Sequence, residues 1–223
     1  MSFLVLELQA AAMDPDMKVT GILRKALVVA TKLGLSEFKA WCESELQGYN
    51  ASGIPEYRRL QGQIKAYNPF LRGWVPVSFS NPEIAERLSV REIGQSIGEL
   101  EQTVGHSTNE ETIEVPFPHA LLIRIFGDTE ELRHGMIPTL VLEKTHLFGI
   151  LETVRNIVLK WSLKLGQDGI MGEGMTFTGE EVHKASTATY NIRNFTGILG
   201  NVDSSQVQIG DYNGIHAEPK RPG

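Results

Sequence analysis

The side chains of this chain that could do acid–base, nucleophilic or ligand chemistry are few and scattered. Its histidines, His106, His119, His134, His146, His183 and His216, make no H-x-H or H-E-x-x-H spacing, so no metal site is expected. Glu180 and His183 could share a helix face, but a lone pair of that kind is ordinarily solvated surface. Cys42 has no second cysteine to bond, and it falls on the apolar side of an amphipathic helix, where a packed thiol is expected rather than a nucleophile. No serine occupies a G-x-S-x-G elbow. Gly169 to Gly174 is glycine-rich, yet it follows a helix and lacks the Lys-Ser/Thr of a phosphate loop, so helix termination is its expected role. The cations remain. Arg24, Lys25, Arg58 and Arg59 form a candidate anion site if the fold gathers them; exposed cations with carboxylate neighbours explain them equally well. Arg155, at the edge of an apolar helix stripe, is expected to bridge to a loop carboxylate. No catalytic residue and no cofactor is assigned.

A different chemistry, that of strand stacking, is written near the end of the chain in Gln206-Val207-Gln208-Ile209-Gly210-Asp211-Tyr212-Asn213. In an extended chain Val207 and Ile209 point to one face, Gln206 and Gln208 to the other. From Phe195 to Ile215 there is no proline and no basic residue, and Asp203 and Asp211 are the only charges. Such a segment can stack on copies of itself, with a dry aliphatic seam and ladders of Gln and Asn amides. An ordinary hairpin with Gly210 to Gly214 as its loop, or a loose tail, is the plainer alternative. Val207-Gln208-Ile209-Gly210 with Tyr212-Asn213 resembles the core of the RHIM amyloid signalling motif of animal necroptosis proteins. It is similar also to bacterial amyloid signalling motifs, with Asn194-Phe195-Thr196-Gly197 and Gly200-Asn201-Val202 as the upstream context. That likeness implies self-assembly through Asn201, Val202, Gln206, Val207, Gln208, Ile209, Gly210, Tyr212 and Asn213.

The composition bounds the rest. A chain of 223 residues, 41% hydrophobic and 22% charged, has enough apolar material for one substantial core. A formal charge of −6 argues against nucleic acid as the main partner. The lone cysteine fits a reducing cytoplasm. No apolar run is long enough to span a bilayer, and the N-terminal stretch lacks a basic n-region, so a soluble cytoplasmic protein is expected.

Stepping along the chain, periodicity predicts a short helix over residues 2–12, ended by Asp14-Pro15-Asp16, and a second from Val19 to Leu33, stopped by Gly34. Ser36 is expected to cap a third, which Gly48 ends. Leu60, Gly62, Ile64 and Ala66 alternate as one half-buried strand, and residues 74–79 return as an edge strand marked by Pro76. Asn81-Pro82-Glu83 opens a short helix, and Ser89-Val90-Arg91-Glu92 reads as a capping box for a longer one carrying Ile93, Ile97, Leu100 and Val104. Strands are expected at 112–115 and 139–143, with a short helix from Pro118 to Ile125 between them. Thr145 is expected to cap the long helix to about Gly166, whose broad apolar stripe makes it the spine. Thr178-Gly179-Glu180-Glu181 is a second capping box, opening a short helix to about Ala185.

Several spaced motifs resemble the AbiTii domain, a family named for abortive infection, the anti-phage response in which the infected cell dies or stops growing. They are Leu23-Arg24-Lys25-Ala26-Leu27, Glu45-Leu46-Gln47-Gly48-Tyr49, Pro55-Glu56-Tyr57-Arg58 and Ile93-Gly94-Gln95-Ser96-Ile97. The helix residues 147–156 and Gly172-Glu173-Gly174-Met175 follow in order. The resemblance brings no agreed catalytic residues.

The expected fold is α+β: a mainly helical domain with a small antiparallel sheet over residues 1–186. A β-forming assembly segment follows over 187–216, and a polar tail over 217–223. The expected function is that of an anti-phage effector or adaptor, non-enzymatic and switched by self-association into a homo-oligomer or fibre. Its expected partners are itself and a sensor with a matching motif, for example a nucleotide-binding receptor, with a membrane as a target of the active state. The alternatives are an enzymatic toxin, nuclease or nucleotide-acting, with an unrecognised basic site, and a plain homo-oligomer whose tail is a structural hairpin or swapped strand.

Overall fold

A computed structural model describes residues 2–50, 53–105, 111–127 and 129–186, with Ile192 and Phe195. The chain opens with three helices, α1 (Leu4–Met13), α2 (Val19–Leu33) and α3 (Ser36–Gln47). A 3-10 turn at Glu56–Arg58 leads into β1 (Arg59–Gln61), β2 (Gln63–Asn68) and β3 (Gly73–Pro76). Next come α4 (Pro82–Ser89), β4 (Val90–Glu92), α5 (Ile97–Gly105), β5 (Thr112–Pro116), α6 (His119–Phe126) and α7 (Glu130–Arg133). The last elements are β6 (Pro138–Glu143), α8 (Lys144–Gln167) and α9 (Gly179–Ala185). The fold is α+β, helices around a small antiparallel sheet, as the sequence predicts.

The long helix α8 is the spine because its apolar stripe is wide: Ile150, Val154, Ile157, Val158, Trp161 and Leu165 are all buried. Fully burying one such aliphatic side chain stabilises by roughly 1.5–3 kcal/mol, so this stripe anchors the core. Helices α1, α2 and α5 pack against it, and α3 packs on α2. Phe38 of α3 stacks on Trp161 with ring centroids 3.8 Å apart. Leu140 and Leu142 carry β6 into the same core.

The four-stranded sheet runs β3-β2-β6-β5, every pair antiparallel, and β1 pairs separately with β4. Pro76 lies on the edge strand β3, where its missing N–H leaves no ladder bond unmade. The single strand expected through Leu60 to Ala66 is instead two, divided at Gly62. A Cβ on Gly62 would stand 2.6 Å from the Val141 carbonyl oxygen, so only glycine lets the chain pass this close to β6. Its N–H turns aside to Ser89 O at 2.8 Å, and the chain changes sheets.

Other helix starts also differ from expectation. Ser89 ends α4 rather than capping a helix, because Val90–Glu92 is taken up in pairing with β1. The working box is one step later: Ser96 N donates to Glu99 Oε2 at 2.8 Å, and Glu99 N to Ser96 Oγ at 3.3 Å. Ser36 and Thr145 lie inside their helices' first turns, and neither helix has a side-chain cap. Asn81, accepting from Glu83 N, and the Thr178–Glu181 box behave as predicted.

Candidate functional site

Three of the spaced motifs meet at one point. The last turn of α3 presents Glu45 inward, and Gly48, at φ +92°, breaks the helix and brings Tyr49 back beneath it. The 3-10 turn then delivers Tyr57 and Arg58. Glu45 Oε1 accepts from Tyr49 Oη at 2.7 Å, from Arg58 Nε at 3.3 Å and from the Tyr57 hydroxyl; Oε2 accepts from Arg58 Nη2. Trp41 Nε1 donates to Tyr57 Oη at 3.0 Å. Arg58 Nη1 reaches across to the carbonyls of Ile93 at 2.9 Å and Gln95 at 2.8 Å. Both charged side chains are 0% exposed. A guanidinium fork and a carboxylate can be buried like this only when nearly every donor and lone pair finds a partner.

The chemistry of this cluster is that of a lock. Burial, and then the Glu45 charge, push the Tyr49 and Tyr57 phenols well above their usual value, so both stay protonated as donors. Burial lowers the Arg58 affinity for its proton, but the hydrogen bonds and charge of Glu45 outweigh it and raise the guanidinium further. Burial, reinforced by Glu45 and Glu43, drives the Cys42 thiol upward too, which leaves it inert.

Outside the lock lies an open cleft of about 710 Å³, lined by Tyr49, Ile54, Arg59, Arg87, Val90 and Arg91 together with Glu86, Glu92 and Gly94. Arg59 is shared between Glu56 at 3.4 Å and Glu92 at 3.7 Å. The four cations of the candidate anion site do not share one place. Arg58 turns into the lock while its neighbour Arg59 faces the cleft. Arg24 lines a separate groove with Lys18, Thr20 and Glu101, and Thr20 Oγ1 donates to Glu101 Oε2 there at 3.0 Å. Lys25 is half-buried on α2. Arg87 and Arg91, which spacing alone did not single out, join Arg59 because the turn from α4 into β4 sets them on one wall.

Two further polar nodes hold the domain shut. Arg155 donates to the carbonyls of Asp14 at 2.7 Å and Met17 at 2.8 Å, and to Glu152 at 3.2 Å, fastening the α1–α2 turn to the spine. Its loop partners are backbone carbonyls, not the carboxylate expected, because the turn presents its C=O groups to α8. The N-terminal donors of α1 are met by a loop: Leu4 N and Val5 N donate to Gly172 O and Met171 O, both at 3.0 Å. Glu181 holds that loop, accepting from Met171 N at 2.8 Å and Gly172 N at 2.9 Å. Burial raises the Glu181 carboxyl, but the donors Gly172, Thr178 and Met171 outweigh it and bring it down to about 2.

Among the described residues no three His, Cys, Asp or Glu side chains are grouped to hold a metal, and no helix is long and apolar enough to cross a membrane. The residues expected to drive self-assembly, Asn201, Val202, Gln206, Val207, Gln208, Ile209, Gly210, Tyr212 and Asn213, lie outside the described residues, as do His106 and His216. Ile192 and Phe195, within the segment assigned to assembly, pack partly buried against the core.

Fold and site together define a helical α+β domain organised by buried polar locks. A family model for AbiTii matches residues 3–190, and the chain belongs to the AbiTii family. No curated protein and no solved structure matches it. The membership points to a role in abortive infection against phage.

Proposed function

We propose that this protein is an abortive-infection effector or adaptor whose locked domain is gathered into arrays by its C-terminal segment. One observation carries the reading. The family match ends at residue 190, and the whole stretch from Asn201 to Asn213, with its Val-Gln-Ile-Gly core, lies beyond it. A segment outside the family domain needs its own role, and its residue types are those of strand stacking. Each added copy satisfies strand edges on both sides and hides Val202, Val207 and Ile209. Ordering the segment opposes this by about 1–2 kcal/mol per residue. Pairing of two copies is then marginal while a stack is stable, which gives a threshold. A sensor bearing the same motif, such as a nucleotide-binding receptor, would supply the nucleus.

In cells, the full chain should form foci and arrest growth when such a nucleus is provided. Gln208→Asp and Ile209→Asp should abolish the foci and leave the unfolding curve of the domain unchanged. Foci that persist in both variants would reject the assembly role.

The cleft favours a second reading, that of a nucleotide-acting toxin, because Arg59, Arg87 and Arg91 line it beside the Tyr49 and Ile54 surface. Protection of the protein against thermal unfolding by ATP, lost in an Arg87→Gln/Arg91→Gln variant, would support it. Unchanged growth arrest in that variant would exclude it.

A further inference from the structure

Among the described residues, the most exposed large apolar side chains meet at the turn between β2 and β3. Phe70 is 78% and Leu71 71% exposed, next to each other at the apex. One step down the hairpin Tyr67 and Trp74 sit opposite one another across the strands, rings 5.8 Å apart and edge-on. Both are also partly exposed, on the sheet face that carries Lys65. The hairpin thus has an apolar tip, an aromatic collar below it and cations flanking both in Lys65 and Arg72. From Tyr57 to Pro82 there is no acidic residue, in a chain whose formal charge is −6.

We propose that this tip is a membrane-docking element, seating Phe70 and Leu71 below the headgroups of an anionic bilayer with Tyr67 and Trp74 at the interface. Three features select a lipid surface over a protein groove. The apolar residues project from a turn and are not laid along a face, so they suit a deformable layer. Aromatic residues with a polar edge favour the headgroup level, and neighbouring cations draw anionic headgroups. The apical backbone is also ready to leave water. Asn68 Oδ1 accepts from Phe70 N at 2.9 Å and from Leu71 N at 3.1 Å, so insertion strands neither donor. The tip docks without the C-terminal segment, in the single chain as well as in an array.

The test is flotation of the full-length protein with vesicles containing phosphatidylglycerol, compared with vesicles of phosphatidylcholine alone. Flotation separates lipid-bound chain from fibres, which sediment. The protein should float with the anionic vesicles and show a blue shift in tryptophan emission. That shift reports Trp74, since Trp41 and Trp161 are buried. Phe70→Ser/Leu71→Ser should weaken binding on the order of tenfold or more, because the buried apolar area is lost. Arg72→Gln should weaken it about fivefold and only on the anionic vesicles. All three positions are exposed, so an unchanged melting curve confirms that the variants fold. Wild-type protein that fails to float, or a double variant that floats as well as wild type, overturns the proposal. So does a tip that dimerises the protein without binding either vesicle, which would make it a protein interface.

Discussion

Glu45 and Arg58 face each other out of all contact with solvent, thirteen residues apart and on opposite sides of a helix end. Their pairing joins α3, the chain that follows it and the carbonyls of Ile93 and Gln95 into one body. Removing either partner leaves the other buried and uncompensated, which costs about 3–5 kcal/mol. Arg58→Met and Glu45→Gln should each lower stability by that order in denaturant unfolding. The double variant Glu45→Leu/Arg58→Met should recover much of the loss. A single variant as stable as wild type would mean that the pair is not the lock described.

Gly62→Ala tests the sheet change. The new methyl would meet backbone, the Val141 carbonyl, which cannot rotate away as a side chain could. Overpacking of this kind costs about 1–3 kcal/mol. At about 2–4 °C per kcal/mol for a domain of this size, the melting temperature should fall visibly in a thermal scan.

Glu181 ties stability to acidity. Its folded carboxyl titrates at about 2, below its ordinary value of 4.5. A depressed carboxyl stabilises the fold above its ordinary value, and that contribution is lost as the pH falls toward the folded one. Glu181→Gln should therefore be less stable than wild type at neutral pH, by about 1 kcal/mol. The gap should narrow below about pH 4.5 and close near pH 2. Acid unfolding curves of the two proteins measure this directly.

Arg155→Met should loosen a junction rather than the whole domain. The variant keeps the hydrocarbon packing on α8 and loses the bonds to Asp14 O and Met17 O. Hydrogen bonds from a charged donor contribute about 1.5–3 kcal/mol. Hydrogen exchange should accelerate first across residues 13–18, while the amides of α8 stay protected.

Much of the fold was legible where one local signal met no competitor. The α2 boundaries follow from apolar spacing closed by Gly34, at φ +72°, and α9 from a box whose bonds both form. Where two local signals competed, tertiary pairing decided. Ser-x-x-Glu occurs at residues 89–92 and at 96–99, and the first was drawn into a strand by β1. The split at Gly62 depends on how near β6 passes, a distance no neighbouring residue encodes. The lock was legible only in part. An arginine reads as a surface cation until a carboxylate and two carbonyls are seen around it. The signal that could have found it was the company it keeps: Glu45, Tyr49, Tyr57 and Arg58 lie close together in the chain on either side of the helix-ending Gly48. The cleft was less legible still, because β1–β4 pairing brings Arg91 beside Arg59 and the turn from α4 into β4 adds Arg87 to the same wall.

The most direct test of tail-driven assembly is fibre diffraction from the purified full-length protein. A meridional reflection at about 4.7–4.8 Å, present in wild type and absent from Ile209→Asp at equal concentration, is the predicted result. Wild-type protein that stays monomeric at high concentration, or fibres that form equally well with Ile209→Asp, would contradict it.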